Sequence, residues 1–81
     1  MMIPTIHLNG TSKEELCEQI RNAGSALHDA IEALSKAAPH GRDYYPQGDD
    51  AFRKAQEEHN SRLYRLAAVQ AELAQIYGEI L

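Results

Sequence analysis

The chain has 81 residues, twelve Asp and Glu against eight Lys and Arg, and a formal net charge of −4. That length allows one small domain, and domains of this size are marginal unless cross-linked, metal-bound or assembled with partners. A single cysteine, Cys17, excludes an intrachain disulfide and fits a reducing cytoplasm. The charge is spread evenly, four basic and six acidic groups in residues 1–48 and the same again in 49–81, so no basic stripe exists to track DNA or RNA. No apolar run approaches the ~18 residues of a membrane span, and the N-terminus lacks the basic start and apolar core of a secretion signal.

Residues 1–10 read as an extended arm. Ile6 and Leu8 alternate with Thr5, His7 and Asn9, Pro4 bars a central strand, and Asn9-Gly10 breaks the chain. Helix one is expected over residues 12–38. Ser12 with Glu15 forms a capping box, repeated one residue earlier by Thr11 with Glu14. Leu16, Ile20, Ala23, Leu27, Ala30 or Ile31, Leu34 and Ala37 or Ala38 then recur at spacings of three and four, until Pro39 and Gly41 stop the pattern. Gly24 in this stripe reads as a notch for close helix packing.

Residues 39–48, Pro39-His40-Gly41-Arg42-Asp43-Tyr44-Tyr45-Pro46-Gln47-Gly48, separate the two helical patterns and hold two of the three prolines, two of the five glycines and two of the four tyrosines. A plain helix connector needs about 2–8 residues, so this loop is the expected recognition element. Arg42 offers a planar cationic fork for phosphate or carboxylate, and Tyr44 and Tyr45 offer ring faces and hydroxyls. Adjacent tyrosines point opposite ways, one packing beneath the loop and one outward. Asp43 either accepts from a ligand or holds Arg42. Gly41 and Gly48 allow positive φ. The bland alternative is a rigid, self-packed turn that only closes the hairpin.

Helix two is expected over residues 49–79, with Asp49 or Asp50 as N-cap and a stripe of Phe52, Ala55, His59, Leu63, Leu66, Val69, Leu73, Ile76 or Tyr77, and Ile80. His59 on that stripe reads as a hydrogen-bonded core or interface residue. Glu58 and Arg62 have the spacing of a supportive ion pair, and Arg62 and Arg65 lie on one face. The segment from Leu66 to Tyr77 carries one charge, Glu72. The predicted fold is therefore all-α, an antiparallel helical hairpin with a short N-terminal arm, assembling with copies of itself into a helical bundle to cover that apolar surface.

No chemistry of catalysis stands out. His7, His28, His40 and His59 lack the spacing of metal ligands, the serines have no glycine-rich elbow, and no phosphate-binding loop or dinucleotide fingerprint occurs. The reading is a non-enzymatic protein without metal or cofactor, with no membrane and no long nucleic acid among its partners.

Ile6-His7-Leu8-Asn9-Gly10-Thr11-Ser12, Ala38-Pro39 with the loop to Gly48, and Glu58-His59-x-x-Arg62-Leu63 resemble a group of short phage- and prophage-type helical proteins of unassigned function. A looser likeness, of size, helical make-up and inferred assembly, is to small phage anti-defence proteins that sequester nucleotide immune signals. The length also resembles secreted helical hairpins of the Trp-x-Gly type, but the chain has no tryptophan. The anti-defence likeness implies a protein in the host cytoplasm that holds a nucleotide-derived ligand. Arg42 would then meet phosphate, Tyr44 or Tyr45 would stack on a base, and Asp43, His40, His7 and Asn9 would supply polar contacts. The alternative is a protein–protein adaptor or inhibitor acting on a host or virion-assembly factor.

Overall fold

A computed structural model describes residues 1–81. Two long helices, α1 (Lys13–Lys36) and α2 (Ala51–Ile80), run antiparallel, joined by two single 3₁₀ turns, Gly41–Asp43 and Tyr45–Gln47. The all-α hairpin of the sequence reading is the observed architecture. The protein is a rod, 61 × 21 × 17 Å, with a radius of gyration of 18.3 Å. A compact chain of this length would measure about 12 Å.

Each helix boundary has a local cause. Ser12 sits in extended backbone and its hydroxyl accepts from the Glu15 amide at 3.1 Å, as the capping box predicts. Glu14 and Glu15 place negative charge at the positive end of the helix dipole. At the far end α1 stops two residues short of the expected Ala38. The Ala37 amide closes the last turn on Leu34 O, because Pro39 holds the preceding residue outside the helical region. Asp50 occupies the N-cap position of α2 but makes no side-chain cap; its carboxylate lies 3.6 Å from Arg53 instead. Arg53 also pairs with Glu57 at 2.8 Å. The expected Glu58–Arg62 pair does not form, the ion pairs being His28–Glu32, Asp50–Arg53 and Arg53–Glu57.

The seam between the helices differs in detail from the predicted stripe. On α1, Cys17 is buried and Ile20, Gly24, Leu27, Ile31 and Leu34 are half-buried, whereas Ala23 and Ala30 are exposed. On α2, Ala55, His59 and Ile80 are buried and Leu63, Leu66, Gln70, Leu73 and Tyr77 half-buried, while Val69 is 45% exposed. The cause is helical phase. Rows one position apart keep the same three-four spacing, and it is Gly24 and Gln70, rather than Ala23 and Val69, that lie on the side covered by the partner helix. Gly24 is not the notch for close helix packing that the sequence suggests: no atom of α2 lies within 4 Å of where its Cβ would stand. It borders a groove of about 330 Å³ between Ile20 and Leu73.

Only four residues of 81 are buried, and no side chain is wholly enclosed. One of the four is His59, at 5% exposure, whose Nε2 has no hydrogen-bond partner. The expectation of a hydrogen-bonded core histidine is thus half right, since the ring is inside but this nitrogen is unpaired. An orphaned buried polar atom costs about 1–3 kcal/mol. Replacement by an apolar residue of similar reach, His59→Leu, is expected to raise the denaturant midpoint with an unchanged slope, measured by circular dichroism in urea.

Candidate recognition loop

The loop is not extended but wound. Asp43 N donates to His40 O and Tyr44 N to Gly41 O, then Gln47 N to Tyr44 O and Gly48 N to Tyr45 O. Arg42, from the first turn, and Tyr45, from the second, line one cleft, of about 450 Å³, with Gly41, Gly48, Asp49 and Phe52. Tyr44 lines a second cleft, of about 490 Å³, with Gln47, Lys54, Ala55, Glu58 and the acidic start of α2, the two clefts sharing Gly48 and Asp49. The expectation of one inward and one outward tyrosine fits: Tyr44 is half-buried and Tyr45 is 77% exposed.

Arg42 pairs with no carboxylate; neither Asp43 nor Asp49 reaches it. It is an exposed guanidinium beside an exposed phenol. Asp43 and His40, also exposed, do not line the Arg42–Tyr45 cleft, and the acidic group that does is Asp49. Phe52, read from the sequence as part of the core stripe, is half-buried and lines this cleft. Its ring lies 3.7–3.8 Å from where a Gly41 Cβ would stand. The signal for its second role is position: it lies one turn inside α2, beside the loop's return.

His7 and Asn9 stand elsewhere. The arm precedes α1, whose 24 residues measure about 36 Å, and the open end of the hairpin is marked by Lys13 Nζ donating to Leu81 O at 3.0 Å. Within one chain these two residues lie at the end opposite the loop. The His7 ring folds over its own turn, where Gly10 N donates to His7 O, and a Cβ on Gly10 would meet Nε2 at 2.8 Å. The predicted set thus divides into Arg42 and Tyr45 together, Tyr44 in an adjoining cleft, His40 and Asp43 on the loop's surface, and His7 and Asn9 far away. The remaining histidine, His28, faces Glu32 at 3.4 Å. No helix is long and apolar enough to cross a membrane.

Of the two glycines that allow positive φ, Gly41 does not use it, and Gly48 ends the loop at φ 114°, ψ 170°. That region is nearly closed to L side chains, at a cost of about 1–3 kcal/mol. Gly48→Ala is expected to lose that much stability while Gly41→Ala, which needs only ordinary contact with Phe52, loses less; thermal melts of the two variants compare them.

Comparison of the chain with protein-family models, characterised proteins and solved structures finds no match. The class established by the fold is a two-helix hairpin with an ordered, chemically dense loop.

Proposed function

We propose that the protein is a non-enzymatic binding protein, working as an assembly of copies, whose Arg42–Tyr45–Phe52 cleft takes a small ligand that joins an anionic group to a planar ring. The observation that carries this reading is an arginine without an ion-pair partner beside an exposed tyrosine in one cleft. Arg42 supplies a bidentate donor for a phosphate, Tyr45 a face for a base, and Asp49 an acceptor for an amine or ribose hydroxyl. A nucleotide-derived signal has this chemistry. Sequestration removes such a signal by mass action, so the site needs affinity and no reacting groups. With the resemblance to phage-type proteins, the sharpest form of the reading is an anti-defence sponge in the host cytoplasm.

Tyr44, His40 and Asp43 have lesser parts in this scheme, as contacts on the loop's other surfaces. A second reading, an adaptor or inhibitor docking on a host or virion-assembly protein, is favoured by the apolar surface left open: Val69, Tyr64 and Leu8 are all exposed. There Arg42 and Tyr45 act as interface anchors.

Calorimetry and thermal shift with a panel of cyclic di- and trinucleotides and ADP-ribose derivatives test the first reading. At a ligand concentration one hundred times Kd, the folded state gains about 2.7 kcal/mol. Arg42→Ala and Tyr45→Ala are each expected to abolish that shift while leaving the ligand-free melt nearly unchanged, since both side chains are exposed. Silence across the panel, with a stoichiometric host protein captured by the wild type and lost with Arg42→Ala, selects the adaptor instead.

A further inference from the structure

The Arg42 cleft and its neighbour share a wall, and the wall is acidic. Arg42 and Tyr45 line one, Tyr44 and Lys54 the other, and Gly48 and Asp49 line both. Together they present two cations, Arg42 and Lys54, against three carboxylates, Asp49, Asp50 and Glu58. Asp50 is partly neutralised by Arg53 at 3.6 Å, whereas Asp49 and Glu58 belong to no ion pair. The start of α2 adds the positive end of a helix dipole, left without a side-chain cap. That end is worth about half an elementary charge, enough to offset part of one carboxylate and not three. The whole chain, at −4, adds to the same field. A site for an anion is thus set in surroundings that oppose negative charge.

We infer that Asp49 sets the charge of the ligand: the cleft takes a nucleotide whose phosphate is a diester, with one negative charge, and turns away phosphomonoesters and polyphosphates. This rests on the reading of the Arg42–Tyr45–Phe52 cleft as a nucleotide site and deepens it. Two geometric facts carry it. First, Asp49 lines the same cleft as Arg42 yet does not pair with it, so the guanidinium is free for one phosphate and the carboxylate is free to repel further charge. Second, the cleft is small. A volume of about 450 Å³ spans roughly 8 Å, no more than a Debye length at physiological salt, so Asp49 acts on every charge the cleft admits. At that range each added unit of ligand charge weakens binding by about twofold to thirtyfold, as the effective dielectric runs from that of water to that of a protein surface.

A diester brings one charge, and Arg42 answers it. A monoester brings nearly two and a triphosphate about four, and no second cation lines this cleft. The common nucleotides of a cell are polyphosphates, and a sponge open to them would be saturated before it met its signal.

The test uses the full chain and probes that share adenine and ribose. Cyclic AMP and cyclic di-AMP, both diesters, are compared with AMP and ATP by calorimetry in magnesium-free buffer. The better-bound diester is expected to bind about threefold tighter than AMP and at least about tenfold tighter than ATP. Asp49→Asn, which keeps an acceptor oxygen and removes the charge, is expected to narrow the ATP gap by about threefold or more. Glu72→Gln removes the same charge from an exposed site on α2, about 30 Å beyond Ala51, and is expected to leave the gap as it is. Added salt is expected to narrow the wild-type gap, because screening relieves repulsion. The inference is overturned, and the cleft spared, by ATP binding as tightly as the diesters, by a gap that widens with salt, or by Asp49→Asn acting no differently from Glu72→Gln. Binding to none of the four probes removes the cleft reading and this inference with it.

Discussion

Everything in this fold depends on one seam. Two helices can bury one stripe each against the other, and here that leaves four buried residues and no enclosed side chain. Hydrophobic burial stabilises by roughly 25 cal/mol per Å² of apolar surface removed from water, so a rod that removes little is weakly held by its own contacts. The remaining features answer that shortage. Ser12 caps α1, Glu14 and Glu15 complement its dipole, Arg53 ties the first turns of α2 together, and Lys13 reaches the last carbonyl of the chain. Each acts locally, and none supplies an interior.

The same constraint shapes the loop. A turn between two adjacent antiparallel helices must reverse direction within a narrow width, and the chain does so with two 3₁₀ turns and Gly48 in a conformation that L residues rarely adopt. Within this double turn Arg42 and Tyr45 line one cleft and Tyr44 another. The chemistry on offer at the tip therefore follows from the geometry needed to close the hairpin. Phe52 joins it because the first turn of α2 returns directly beneath the loop.

The overall architecture was legible in the residues. Ser12 with Glu15, Pro39 after the first stripe, and the unbroken run from Phe52 to Ile80 marked both helices to within two or three residues of their observed limits. Phase was harder to read. Ala23 and Ala30 sit one position from seam residues and are equally apolar, so spacing alone did not separate the row that faces α2 from the row that faces outward; only a packed partner decides between them. The loop's residue types were visible and their grouping was not. An extended backbone and a 3₁₀ backbone distribute Arg42, Asp43, Tyr44 and Tyr45 differently, and no single residue distinguishes the two. His7 and Asn9 were joined to the loop by chemical suitability, whereas α1 separates them by its whole length.

The ladder shape also orders how the chain comes together. Pairings beside Gly48 join residues close in sequence, while the Lys13–Leu81 contact spans 68 positions. Loop-closure entropy rises with that separation, so the rungs nearest the bend form at least entropic cost and those at the open end at most. The expected course is a zipper that starts at Tyr44–Gly48 and finishes at the termini. Protection of backbone amides is therefore expected to fall from the bend toward Lys13 and Ile80.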